Sequence, residues 1–86
     1  MARTKRSRIE LYADVLNALR VHHEGCRITK LSYGANMPVD RMKKTVEELI
    51  SHGLVARSVE DAGIYVLTLR GWDFLEAFKK LAMFLE

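Results

Sequence analysis

The stretch ITKLSYGANMPVDRMKKTVEELISHG, residues 28–53, decides the fold. Thr29 is a good helix N-cap residue, which predicts a short helix over residues 30–34. The connection that follows is tight, because Pro38 disfavours helical geometry at the residue before it. Apolar side chains then recur at helical spacing and predict a longer helix over residues 39–52. The stretch therefore encodes two helices joined by a sharp turn.

The segment upstream predicts another helix. Ser7 and Glu10 have the S-x-x-E spacing of a capping box, in which hydroxyl and carboxylate satisfy backbone N–H groups at a helix start. Apolar residues at helical spacing follow, and they extend the predicted helix from Arg8 to about His22.

The segment downstream changes from helical to strand character. Residues 54–59 and 64–69 are short runs rich in β-branched side chains, separated by Glu-Asp-Ala-Gly at residues 60–63. This pattern is typical of a β-hairpin. Thr68 is a suitable N-cap for a final helix from about residue 69 to residue 86.

The predicted order is helix, short helix, turn, helix, hairpin and helix, which is that of a winged helix-turn-helix. The fold class is therefore α+β and mostly helical, with three helices, a two-stranded β-hairpin wing and an additional C-terminal helix. We assign residues 1–6 to a flexible basic arm, 7–69 to the winged domain and 70–86 to the C-terminal helix.

Composition excludes several classes of protein. The chain has 86 residues and a mass of 9.9 kDa, which suits one small domain. Hydrophobic residues make up 49% and charged residues 29%, as in a globular protein. No apolar run approaches the ~18 residues of a membrane span, and no signal peptide is evident. A single cysteine, Cys26, rules out an internal disulfide, so we expect a cytoplasmic protein.

Positive charge is concentrated in the first half of the chain. The net charge is +3, but residues 1–8 carry four basic side chains and no acidic one. Residues 20–44 carry six basic and two acidic side chains, whereas residues 45–86 carry four basic and seven acidic ones. This separation favours one side of the molecule that faces a polyanion.

Four motifs resemble those of the small winged-helix proteins of archaea and their viruses. They are RSRIE at residues 6–10, TKLSYGANM at 29–37, LISHGLV at 49–55 and LTLRGWDFL at 67–75. The resemblance covers roughly residues 6–80 and keeps the family's order and spacing. It implies a DNA-binding protein, a transcription regulator or a chromatin-associated protein, that dimerises through its C-terminal helix. Two features differ from the family: the wing tip is acidic, and Pro38 replaces the usual Ser or Thr.

Double-stranded DNA is therefore the expected partner, with helix 39–52 in the major groove. Arginine can form a bidentate pair of hydrogen bonds with guanine, whereas lysine more often contacts phosphate. Tyr33 fits phosphate contact and the core equally well. The alternative for the charged residues is an ordinary solvated surface. The predicted DNA-binding residues are Arg3, Lys5, Arg6 and Arg8 in the arm, Thr29, Lys30 and Ser32 in the second helix, Val39, Asp40, Arg41, Lys43 and Lys44 in the third, and Arg57 in the wing.

The last helix is apolar almost all round, which indicates that it is buried. A domain of this size cannot cover such a helix alone, so we expect a homodimer through residues 70–86. The alternative is that its first half belongs to the core of a monomer. The predicted dimer residues are Trp72, Phe74, Leu75, Phe78, Leu81, Ala82 and Leu85.

Catalysis and metal binding are not predicted. His23 and Cys26 form one possible ligand pair, but no second pair stands at suitable spacing. No phosphate-binding glycine loop or nucleophile motif occurs, so we expect a non-enzyme without cofactors or a small-molecule ligand. Two alternatives to a regulator stay open: an architectural DNA binder with little sequence preference, and a protein-interaction module.

Overall fold

The computed structural model describes residues 7–85 and confirms the predicted fold class. The sheet differs from the predicted two-stranded hairpin, because it has three antiparallel strands in the order β1-β3-β2. The elements are α1 (Arg8–Arg20), β1 (Cys26–Arg27), α2 (Ile28–Gly34), α3 (Val39–Ser51), β2 (Val55–Arg57), β3 (Ile64–Leu67) and α4 (Leu69–Met83).

Helix α1 begins with the predicted capping box. The backbone N–H of Glu10 donates to Ser7 Oγ at 3.1 Å, and the Ser7 N–H donates to Glu10 Oε1 at 2.9 Å. The helix ends at Arg20, two residues earlier than predicted, because Val21 is already its C-cap. Gly25 then takes a φ of +88°, a left-handed conformation that glycine adopts without strain.

Strand β1 has no counterpart in the prediction. Its two residues, Cys26 and Arg27, pair with Tyr65 and Ile64 of β3. A strand this short has no periodicity that a sequence pattern can reveal. It joins the entrance of α2 to the sheet, and Arg27 is consequently the N-cap residue of α2. The predicted cap at Thr29 is therefore wrong, since Thr29 lies inside the helix.

The turn between α2 and α3 follows the predicted course. Asn36 adopts a φ of +54°, in the left-handed region that asparagine tolerates better than most residues. Pro38 precedes α3 as its N-cap and makes no side-chain capping hydrogen bond, as expected for proline. Its fixed φ of −60° nevertheless places the backbone correctly for the helix that begins at Val39.

One apolar core holds the three helices together. Its fully buried side chains come from α1, α2, α3 and the first wing strand, and the helix-turn-helix pair is thus fixed on α1 and the sheet. The largest of them are Leu16, Leu19, Leu31, Met42, Leu49, Val15, Val46 and Val55.

The wing is shorter than predicted. Strand β2 covers Val55–Arg57 where residues 54–59 were expected, and β3 ends at Leu67 where residue 69 was expected. Helix α4 begins with Thr68 as the predicted cap, whose Oγ1 accepts the Gly71 N–H at 3.0 Å. Gly71 is buried so tightly that a Cβ there would overlap the backbone oxygen of Leu54. Helix α4 packs on α1 and ends at Met83. None of the helices within residues 7–85 is long and apolar enough to cross a membrane.

Candidate nucleic-acid interface

The exposed face of α3 is basic in its first two turns. Met42, Val46 and Leu49 are fully buried, so they fix which side of the helix faces solvent. All five residues predicted here for DNA contact are exposed: Val39, Asp40, Arg41, Lys43 and Lys44. Within residues 7–85 no ion pair involves either lysine. Their positive charge is therefore available to an external anion.

Two acidic residues in the second half of α3, Glu47 and Glu48, have partners outside the helix. Glu47 accepts a hydrogen bond from Arg57 of β2 at 2.7 Å. Glu48 accepts from Arg8 at 3.0 Å and from the Tyr12 hydroxyl at 2.8 Å. Burial, and then this bond to Glu48, raises the pKa of Tyr12, so the phenol stays a donor at neutral pH. The two carboxylates therefore repel a phosphate less than the sequence suggests.

Helix α2 contributes a second part of the same surface. Thr29 and Lys30 are exposed, as phosphate contacts require. Tyr33 is 91% exposed, which decides against the core position that the sequence left open. Ser32 is a correction: it is only 6% exposed, and its hydroxyl finds no hydrogen-bond partner among the described residues. We therefore remove Ser32 from the predicted interface.

Arg57 also requires a correction. Besides its ion pair with Glu47, its guanidinium donates to the Ala62 carbonyl at 2.8 Å and to the Tyr65 hydroxyl at 3.1 Å. It also lies 5.0 Å from the centre of the Tyr65 ring, within cation–π range. A side chain engaged in this way ties the wing to α3 and is not a free phosphate ligand.

The acidic wing tip is partly neutralised by a residue that the sequence analysis missed. Arg27 donates to Asp61 Oδ2 at 2.5 Å, across the sheet edge that β1 creates. The Gly63 N–H donates to the other oxygen at 2.8 Å. This backbone bond first, and Arg27 second, hold the pKa of Asp61 below its usual value. Only the pairing of β1 with β3 brings Arg27 to the wing, and no sequence pattern indicated that pairing.

Of the four basic residues predicted to form the arm contacts, only Arg8 is among the described residues. Arg3, Lys5 and Arg6 lie outside the described residues, so their predicted role is not tested. Arg8 is the first residue of α1 and is exposed, and its guanidinium contacts Glu48 of α3. This contact links the start of α1 to α3.

Nothing in the described part of the chain forms a metal centre. Within residues 7–85 no cluster of three or more His, Cys, Asp or Glu side chains could hold an ion. Cys26 is buried in the core, and this burial raises the pKa of its thiol, which Lys30 counteracts in part. The protonated, buried thiol is consequently a poor nucleophile and a poor ligand.

Helix α4 divides into a covered and an uncovered half. Leu75 is only 7% exposed and belongs to the monomer core, which corrects its assignment to a dimer interface. Phe74 and Phe78 are also packed against that core. An open groove of about 450 Å³ between α1 and α4 is lined in part by Trp72, Phe78 and Ala82. The exposed apolar residues at this end are Leu81 and Met83 in α4, and Phe84 and Leu85 directly after it.

Comparison with known proteins agrees with this architecture. A mutant of S. aureus MepR has a similar structure, with a TM-score of 0.71, 16% identity, and coverage of 87% of this chain and 58% of that chain. An O-methyltransferase (NcsB1) from neocarzinostatin biosynthesis is similar over 78% of this chain and 21% of its own, with a TM-score of 0.61 and 21% identity. The chain thus spans little more than half of MepR and a fifth of the methyltransferase.

At these identities the similarity shows the fold alone. A search of curated proteins gave no match. The family model for the winged helix-turn-helix, in contrast, matches residues 5–86, nearly the whole chain. With the helix order, the turn and the wing described above, the chain belongs to the winged helix-turn-helix family.

Proposed function

We propose that this protein binds double-stranded DNA as a homodimer and regulates transcription. The observation that carries the proposal is the basic surface made by α2 and the first turns of α3. Its lysines lack ion-pair partners among residues 7–85, whereas Glu47 and Glu48 are held by Arg57 and Arg8. A helix-turn-helix presents this surface to the major groove. The role is one of binding and involves no catalysis.

The roles of the basic residues follow from their chemistry. Arg41 is exposed in the first turn of α3, where a planar guanidinium can contact guanine O6 and N7. Asp40, next to it, can accept a hydrogen bond from cytosine N4. Lys30, Lys43 and Lys44 supply point charges suited to phosphates, and Thr29 a hydroxyl.

The arm supports the same proposal. Arg8, which follows the arm, contacts Glu48 of α3. Glu48 lies nine residues after Val39, where α3 begins, and hence about 14 Å along the helix from it. Six extended residues reach at most about 20 Å. Arg3, five residues before Arg8, can therefore reach the DNA backbone beside the start of α3, whereas we expect Lys5 and Arg6, three and two residues from Arg8, to meet phosphates nearer to Glu48.

The uncovered half of α4 supports the dimer. Phe84 and Leu85 are 82% and 88% exposed in the single chain, and they directly follow Met83, which lines the α1–α4 groove. If a two-fold pairing that covers these residues sets the two α3 helices about 34 Å apart, they fit half-sites one helical turn apart on one face of DNA. Sedimentation equilibrium at high micromolar concentration should show a dimer, which Phe84→Asp weakens. A monomer under these conditions would remove this part of the proposal.

The regulator and the architectural binder differ in sequence preference. Arg41→Ala should cost about 1–3 kcal/mol on a selected site and relax the preference there. Lys30→Ala should weaken selected and random duplexes alike. Equal losses on every sequence for both variants would favour an architectural DNA binder over a regulator.

A further inference from the structure

An uncharged apolar patch lies at the turn between α2 and α3. Tyr33, Pro38 and Val39 are exposed, although the first is a large aromatic side chain and the last a β-branched aliphatic one. All three line one open hollow at the helix-turn-helix turn, together with Ser32, Asn36 and Met37. No residue of this hollow is charged.

The patch is held in place by the turn beneath it. Met37, at its floor, is buried, and its sulfur contacts the Thr45 hydroxyl at 3.9 Å. The Met37 N–H donates to the Ser32 carbonyl at 2.9 Å, which closes the turn over the end of α2. Tyr33 and Val39 thus project from two helix ends whose separation is fixed by a hydrogen-bonded turn.

Lysines border the patch on both helices. Lys30 precedes Tyr33 by three residues on α2, and Lys43 follows Val39 by four on α3, so each is one helical turn away. Cations at this spacing suit phosphates on either side of a groove, while the neutral centre suits a base edge. An exposed apolar residue that occurs alone does not indicate a binding surface, but here three such residues share one hollow.

The base edge that fits an apolar contact is that of thymine. Among the groups exposed in the major groove, the thymine C5-methyl is the apolar one, and the remaining groups are hydrogen-bond donors and acceptors. We infer that Tyr33 and Val39 form an apolar site that recognises thymine by contact with its 5-methyl group. This inference rests on the proposed DNA binding and adds the base that the surface selects.

The test compares duplexes that differ only in this methyl group. Fluorescence anisotropy at constant low salt measures the affinity for an alternating A·T duplex and for the same duplex with deoxyuridine in place of thymidine. The deoxyuridine duplex keeps every hydrogen-bonding group and should bind about fourfold more weakly for each methyl group that the protein covers. Equal affinity for the two duplexes would overturn the inference.

Variants separate the direct contact from an effect of the methyl group on DNA shape. In Tyr33→Ala combined with Val39→Ala, the thymidine-to-deoxyuridine affinity ratio should fall to about one. Leu69→Ala is the matched control, because Leu69 is 84% exposed but lies at the start of α4, and it should keep the wild-type ratio. If the double variant leaves the thymidine-to-deoxyuridine affinity ratio unchanged, the preference comes from DNA shape, and a direct contact of Tyr33 and Val39 with the methyl group is refuted. Absence of binding to every duplex would instead refute the proposed function itself.

Discussion

Replacement of Arg57 tests whether this side chain ties the wing to α3 or serves as a phosphate ligand. Its ion pair with Glu47 joins side chains that are 43% and 60% exposed, so the pair stabilises by only about 0.2–1 kcal/mol. The bond to the Ala62 carbonyl and the contacts with Tyr65 each add about 0.5 kcal/mol at such exposure. Arg57→Ala should therefore lower the free energy of unfolding by about 1.2–2 kcal/mol.

Urea denaturation followed by the fluorescence of Trp72, which is half-buried in α4, measures this change. Glu47→Gln removes only the ion pair, and the double-mutant cycle should give a coupling of about 0.2–1 kcal/mol. Lys44→Ala is the matched control, because Lys44 lies one helical turn before Glu47 on α3 and has no ion pair among residues 7–85. Its free energy of unfolding should stay within about 0.5 kcal/mol of wild type. An Arg57→Ala variant as stable as this control would refute the structural role of Arg57.

Three further predictions concern the fold and the wing. Ser32→Ala removes a buried hydroxyl that has no partner among the described residues, so it should raise the unfolding free energy by about 1 kcal/mol without weakening DNA binding; a lower Tm would contradict this. Gly71→Ala should lower the free energy of unfolding, measured by thermal denaturation, by about 3 kcal/mol, since a Cβ there overlaps the backbone before β2. Gly34→Ala is the control and should be neutral or stabilising, because a Cβ at residue 34 meets its neighbours at ordinary contact distances. Equal effects of the two variants would contradict this reasoning. The lowered pKa of Asp61 means that the stabilisation by its carboxylate is present at neutral pH and disappears as the pH falls through that pKa. In a carboxyl NMR titration, Arg27→Ala should move the pKa of Asp61 only part of the way back to its usual value, because the backbone bond remains. An unchanged pKa in this variant would exclude the ion pair.

The fold was predictable because its signals are local. The Ser7–Glu10 capping box, the Thr68 cap and the helical spacing along α3 each depend on residues within a few positions of one another, and the structure confirms them. Strand β1 was missed because it exists only through pairing with β3, far along the chain. The Thr29 cap was wrong for the same reason, since that pairing moves the start of α2 to Ile28.

The candidate site was predictable as a charged region but not residue by residue. The sequence indicates which helix is basic, yet the burial of Ser32 and the exposure of Tyr33 depend on how α2 packs against α1 and α3. The engagement of Arg57 likewise depends on the wing folding back on Glu47. Such contacts between distant segments have no signature in spacing or composition.

The dependence of DNA binding on salt tests the central claim most directly. Anisotropy with a random duplex from about 50 to 200 mM salt should give a log–log slope near −5 for a dimer that neutralises about six phosphates. Lys44→Ala should make the slope shallower by about 0.9 for each phosphate that the variant leaves unneutralised, while Lys80→Ala, an exposed lysine in the last turn of α4, should leave it unchanged. No binding at about 50 mM salt, or equal effects of the two variants, would contradict the account.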